Sequence, residues 1–216
     1  MSTVLQSIIE GVLEDVAKRE IPLAQMRRKL NEAPLLRGAY AALSKQGTQV
    51  IAEVKRSSPS KGLLADIPHP AKLAEMYQQG GAAVVSVLTE ERRFKGSIAD
   101  FHEVRNAIEI PVLRKDFIVT EFQVLESRAI GADLMLLIVA GLSQSQYRDF
   151  HQMATELGMD VLVEVHNEAE LERAFEIQPK IVGVNSRNLK TLELDASVFD
   201  QLLPLIPAGT IRVAES

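Results

Sequence analysis

The sequence predicts an α/β protein whose parallel sheet is wrapped by helices, and three observations carry that expectation. Short apolar runs recur at 50–54, 83–88, 110–114, 134–139, 161–165, 181–185 and 211–214. Between them lie stretches with helical spacing, including Pro70 to Gln79, Phe122 to Ala129, Gln144 to Leu157 and Glu168 to Glu176. Several of those stretches run into glycine just before the next apolar run, at Gly80-Gly81, Gly131 and Gly158, as helices do when a left-handed residue ends them. Strand–helix alternation with short connections implies parallel strands with helices outside, and runs that are apolar nearly throughout imply burial on both faces. The fold class expected is a TIM-type (β/α)8 barrel with an N-terminal helical extension, truncated after strand 7.

The extension comes first. Residues 2–20 place Val4, Leu5, Ile8, Ile9, Val12, Leu13 and Val16 at helical spacing, with Ser2 or Thr3 as the cap. A second helix is expected from Pro22, in its first turn, to before Pro34, and a third over Leu36 to Lys45. The division expected is therefore 1–48 for the extension and 49–216 for a barrel lacking its eighth βα unit.

Composition removes several function classes. A chain of 216 residues with 46% hydrophobic and 25% charged residues can bury a sizeable core. With no cysteine there is no disulfide, thiol nucleophile or thiolate metal site, which suits the cytoplasm. The four histidines form no paired zinc motif, so no metal is expected. The longest apolar run, Leu134 to Leu142, is too short to span a bilayer, and no secretory leader is visible. A net charge of -5 with dispersed basic residues argues against nucleic acid.

In such barrels the chemistry sits at the C-terminal ends of the strands. Strand 1 ends in Glu53 and Lys55, which leave the same face two residues apart. Strand 2 runs into Leu88-Thr89-Glu90 and a loop with Phe94, Gly96 and Ser97, and strand 3 into Arg114-Lys115-Asp116-Phe117. Strand 5 gives Glu164, strand 6 Asn185, Ser186 and Arg187, and strand 7 Glu215 and Ser216. Glu164 closes the apolar Val161-Leu162-Val163, where a carboxylate is costly without a partner or a task. His166, on the same face, reads as a solvated rim residue, and Asp116 as the structural partner of a nearby cation. The opposite strand ends, with residues such as Val50, Ile110 and Ile181, read as plain.

With these residues assembled, the chain resembles the indole-3-glycerol-phosphate synthase family. The matching motifs are Ile51-Ala52-Glu53-Val54-Lys55-Arg56-Ser57-Ser58-Pro59-Ser60, Leu88-Thr89-Glu90 with Phe94 and Gly96-Ser97, and Leu113-Arg114-Lys115-Asp116-Phe117-Ile118. Glu164, Gly183-Val184-Asn185-Ser186-Arg187-Asn188-Leu189 and Val213-Ala214-Glu215-Ser216 complete the set. The resemblance implies closure of 1-(2-carboxyphenylamino)-1-deoxyribulose 5-phosphate, with loss of carbon dioxide and water, to indole-3-glycerol phosphate in tryptophan biosynthesis. It implies no cofactor and no metal. It makes Lys115 the acid at the ribulose carbonyl and Glu164 the carboxylate that stabilises positive charge or takes the proton. Lys55 becomes the anion-binding lysine and second acid, with Glu53 orienting it. Ser58, Phe94, Phe117, Asn185, Arg187, Glu215 and Ser216 become substrate-holding residues, the two phenylalanines as an apolar wall.

The implied partner is a small anionic phosphosugar, with no membrane and no nucleic acid, bound by a cytoplasmic monomer or weak homo-oligomer. In the family a glycine follows the serine that matches Ser216, then an eighth strand and last helices that supply phosphate donors, so the expectation here is a shortened barrel. Two alternatives stand beside this reading: another phosphosugar barrel enzyme of the phosphoribosyl isomerase kind, and an inactive fragment that only binds ligand.

Overall fold

The computed structural model describes residues 3–189 and 191–215. Seven strands form one parallel sheet: β1 (Ile51–Val54), β2 (Val84–Leu88), β3 (Val112–Lys115), β4 (Leu134–Ile138), β5 (Asp160–Val165), β6 (Ile181–Asn185) and β7 (Ile211–Glu215). Each pairs with its neighbours in chain order. Three helices precede β1: α1 (Val4–Arg19), α2 (Leu23–Asn31) and α3 (Ala39–Leu43). Helices α4 (Pro70–Gln79), α5 (Ile98–Ala107), α6 (Glu121–Ala129), α7 (Gln144–Glu156), α8 (Glu168–Phe175) and α9 (Ser197–Leu202) alternate with the strands. The sheet curls, because residues from all seven strands, from Ile51 and Ser86 through Leu136 to Val213, line one cavity. This is a seven-stranded (β/α) barrel architecture with helices outside.

Register brings the charged strand ends to one level. Glu53 lies opposite Ser86, Leu88 opposite Lys115, Ile138 opposite Glu164 and Asn185 opposite Glu215. Because side chains alternate, the neighbours Arg114 and Val165 face the helical layer instead. Gly81, Gly131 and Gly158 hold positive φ angles of 88°, 88° and 82° at the turns from helix into strand, as expected of helix-ending glycines.

Several local expectations need correction. Pro22 is the N-cap of α2 rather than a first-turn residue. Strand β7 alternates half-buried and exposed positions, as an edge strand does, and is not covered on both faces. Periodicity did not single out α5 and α9: α5 buries Arg105 on its packed face beside Phe101 and Val104, and α9 spans only 6 residues.

The opposite rim is not plain either. Asp133, just before β4, accepts hydrogen bonds from the backbone N–H of Arg37 at 2.6 Å and of Val112 at 2.8 Å, with Arg105 Nη2 at 3.4 Å. Asp160 accepts from the Tyr40 N–H at 2.7 Å. Burial pushes the Asp133 carboxyl up to about 6 against these donors. Single acids inside apolar flanks thus tie the segment ahead of β1 to the base of the barrel.

At the other end, α1 is capped by a reciprocal Thr3–Gln6 box. It buries Leu5, Ile8, Val12 and Val16, and its Val4, Leu5 and Ile8 reach the cavity wall.

Candidate active site

The cavity opens at the C-terminal ends of the strands and holds about 450 Å³, within the range of about 300–1,000 Å³ usual for small-molecule sites. At its centre is Lys115, whose Nζ lies 3.0 Å from Glu164 Oε2 and donates a short hydrogen bond to Glu215 Oε2. Burial alone would pull this amine down, but Glu164, Glu215 and Glu53 outweigh it and raise the group well above the ordinary lysine range. Glu164 is almost fully buried. Burial would raise its carboxyl, yet Lys115 and then His166 hold it below the usual carboxylate range.

Glu215 moves the other way, up to about 7, through burial and the like charges of Glu164 and Glu53 against the pull of Lys115. Both partners of the Lys115–Glu215 contact thus move up, and charge balance explains it. Lys115 is already claimed by Glu164, so Glu215 is the carboxylate that takes a proton. Its Oε1 is buried without a hydrogen-bond partner.

A second pair sits beside the first. Lys55 Nζ is 2.5 Å from Glu53 Oε1, and Ser86 donates to Glu53 Oε2 at 3.2 Å. Both side chains of that ion pair are about a quarter exposed, at 26% and 27%, so Lys55 can meet solute ions. The walls are mixed. Phe94 and Phe117 stack at a tilt, ring centres 6.0 Å apart. Ser58 lies in a short hairpin of Ser57–Ser58 against Gly62–Leu63 at the cavity mouth. Asn185 Oδ1 accepts the Arg187 N–H at 2.9 Å, and Arg187 Nη1 reaches Leu192 O at 3.0 Å. Glu53, Lys55, Ser58, Phe94, Lys115, Phe117, Glu164, Asn185, Arg187 and Glu215 therefore all line one cavity, whereas Ser216 lies outside the described residues. Asp116 is buried with Thr89, Arg114 and its neighbour's N–H, the structural partner expected. Among the described residues no group of three or more acids and histidines is arranged to hold a metal ion.

Four features escaped the residue-by-residue reading. His166 is not a solvated rim residue: its side chain is 8% exposed, and carboxylates face both ring nitrogens. Arg56, quoted only as part of a motif, holds Asp100 with two hydrogen bonds and the Ile67 carbonyl with two more, anchoring the loop after β1 to α5. Gly183 faces Glu164 across the β5–β6 pair, and a Cβ there would overlap the Glu215 carboxylate. Gly96 leaves no room for a Cβ beside the Leu88 carbonyl, Ser97 caps α5, and Glu90 accepts three backbone N–H bonds from residues 92–94. Only the last signal, glycine then serine ahead of a helix, was readable from local rules.

A curled parallel sheet with paired lysines and carboxylates in a cavity at its C-terminal rim defines the class: a (β/α)-barrel protein with a charged small-molecule site where barrel enzymes carry theirs. The model of the indole-3-glycerol phosphate synthase family matches residues 5–216. The indole-3-glycerol phosphate synthase of Paenarthrobacter aurescens is 55% identical over 99% of this chain and 81% of its own length. Those of Rhodococcus opacus and Mycolicibacterium smegmatis are 55% and 54% identical, each over 80% of their length. The chain belongs to the indole-3-glycerol phosphate synthase family.

Proposed function

We propose that this protein is a carboxy-lyase of tryptophan biosynthesis that closes 1-(2-carboxyphenylamino)-1-deoxyribulose 5-phosphate to indole-3-glycerol phosphate. The observation that carries the reading is a protonated lysine flanked by three carboxylates in a cavity with an aromatic wall. The aryl carbon bearing the carboxylate attacks the ribulose carbonyl carbon, and the carbonyl π pair moves to oxygen. Lys115 gives its proton there, because the forming alkoxide is far more basic than the ketone it replaces. The ring nitrogen carries the positive charge of the intermediate, and ionised Glu164 stabilises it. Loss of carbon dioxide returns an electron pair to the ring and restores aromaticity. Dehydration then needs a proton for the leaving hydroxyl and a base for the adjacent C–H.

Glu215, poised near neutrality, and Lys55 are the acids within reach of that step, and Glu164 is the base. Glu53 orients Lys55 through their ion pair, while Phe94 and Phe117 hold the anthranilate ring and Ser58, Asn185 and Arg187 line the phosphosugar side. Lys55 and Arg187 draw an anionic substrate to a chain that is acidic overall. The small anionic phosphosugar substrate, the cytoplasmic location and the three-helix extension as a unit ahead of the barrel belong to the same reading. Its support over a phosphosugar isomerase is the family membership together with two lysines on one rim.

The test is incubation with that substrate, following indole fluorescence and released carbon dioxide. One equivalent of each per substrate consumed is expected. Isomerisation without carbon dioxide release, or an unchanged substrate, would overturn the proposal.

A further inference from the structure

His166 has no place in the steps above, yet it is built as firmly as any residue that does. It follows β5 and stands two residues beyond Glu164 on the same face. Glu164 lines the cavity and His166 does not, so the ring sits behind the carboxylate. Nε2 is 3.3 Å from Glu164 Oε1, an ion-pair distance that falls short of hydrogen-bond geometry. On the other side, Nδ1 is 3.0 Å from Glu170 Oε2, and the His166 backbone N–H donates to that same oxygen at 2.9 Å. Glu170 is itself fixed in the first turn of α8. Its N–H donates to Asn167 Oδ1 at 3.0 Å, and its Oε1 accepts from Asn167 Nδ2 at 2.7 Å.

With one carboxylate hydrogen-bonded to Nδ1 and a second at ion-pair distance from Nε2, the ring is favoured with a proton on both nitrogens, because either bare nitrogen would face a carboxylate oxygen lone pair to lone pair. Burial alone would favour the neutral ring, but Glu164 and Glu170 outweigh it and push the group up to about 9. The charges facing this ring come from every packed element: Glu164 from β5, Glu170 from α8, Lys115 from β3 on the far oxygen of Glu164, and Glu215 from β7 behind Lys115. Glu164 therefore has one cation per oxygen, Lys115 at Oε2 and His166 at Oε1.

We propose that His166 is a positioning residue for Glu164: its imidazolium holds the carboxylate in place and ionised when Lys115 passes its proton to the substrate. The asymmetry between the two cations is the point. Lys115 faces the cavity and has to change its charge during the reaction, whereas His166 stands off the cavity and keeps its own. Without the second cation, Glu164 would be left an uncompensated buried anion once Lys115 has given its proton and loss of carbon dioxide has discharged the intermediate, and it would take a proton and stop serving as the base. The inference rests on the role given to Glu164 under Proposed function.

The experiment joins a spectrum with a pH profile. Long-range ¹H–¹⁵N spectra of the folded protein, with the His166 signals assigned by their loss in His166→Asn, should show both nitrogens protonated at pH 7.5. In Glu170→Gln the same ring should titrate at lower pH. In turnover, His166→Asn should lower kcat by about 10- to 100-fold with KM changed by less than about threefold, the size expected when a reacting group is misplaced. The acid limb of kcat should move to higher pH. Glu170→Gln, which keeps the ring, should move that limb the same way by less, and decides the matter if the Asn variant does not fold.

A neutral His166 ring at pH 7.5 overturns the inference whether or not the protein turns over. An unmoved acid limb with unchanged kcat in both variants overturns it as well, leaving a purely structural histidine. Absence of indole product from the parent protein overturns the functional reading instead, and the spectrum still decides the charge of His166.

Discussion

Arg114 and Lys115 are consecutive cations on one strand, and their surroundings differ in kind. Arg114 faces the helical layer with no exposed surface. Its guanidinium reaches Thr89, Asp116, Glu126, Ser127 and the Gln123 carbonyl, and Arg19 of α1 meets Glu126 from the far side. Lys115 faces the barrel interior, where it shares two carboxylates, has a third nearby, and borders open volume. In the Arg114 cluster the donors of one cation are matched by acceptors packed around them. In the Lys115 cluster there are more acids than the lysine can neutralise, and Glu215 has an oxygen left over. A saturated network holds a fold, whereas an unbalanced one beside a cavity is held ready for protons to move.

That contrast can be broken from either side, and the largest effect should come from Glu164. Glu164→Gln should lower turnover per folded molecule by about 10²–10⁴-fold, the usual weight of a positioned acid or base, with stability the lesser effect because the amide keeps the shape and an oxygen that accepts from Lys115. Arg114→Met should do the reverse. It takes the buried guanidinium from Asp116 and Glu126, leaving Glu126 only Arg19 as a cation partner, a loss of about 3–5 kcal/mol read by denaturant unfolding, with turnover per folded molecule nearly intact. A smaller effect is expected at Gly183→Ala, where the added methyl displaces the Glu215 carboxylate and should cost about 10²-fold in kcat without unfolding the protein.

The pH dependence of stability sharpens the comparison further. The folded state raises His166 from 6.5 to about 9, so it binds the proton more tightly than the unfolded chain does. The stability this gives is complete below pH 6.5 and is lost as pH rises through 9. The fall in unfolding free energy over that window should be shallower in His166→Asn. Smallest of all should be Arg92→Ala. Its contacts with Glu14 and Asp15 of α1 lie at the surface, and a melting curve should not move measurably.

The same contrast marks what the sequence could disclose. Strands were legible because a both-sides-buried strand is apolar throughout, and β2 and β4 are buried at every position. Glu53, Lys55, Lys115, Glu164 and Glu215 were legible because a charge at the inward end of such a run has few structural excuses. Asp133 and Asp160 sit at the other end of equally apolar runs, and were missed because the donors they satisfy are backbone N–H groups of a segment about a hundred residues earlier. His166 was missed for a related reason. Its spacing from Glu164 gives the face, but its burial depends on α8 folding back to bring Glu170 against it. Local pattern gives the direction of a side chain, and only the tertiary fold gives its partners.

The most direct test of the cavity's role is single-turnover product formation by Lys115→Met, with enzyme in excess over the carboxyphenylamino-deoxyribulose phosphate. The parent protein should convert the substrate to indole-3-glycerol phosphate in one burst, while the variant, folded and still binding the substrate, should yield no burst at all. A variant that forms indole-3-glycerol phosphate at the parent rate would contradict the assignment of Lys115 as the acid and the unbalanced cluster as the seat of the chemistry.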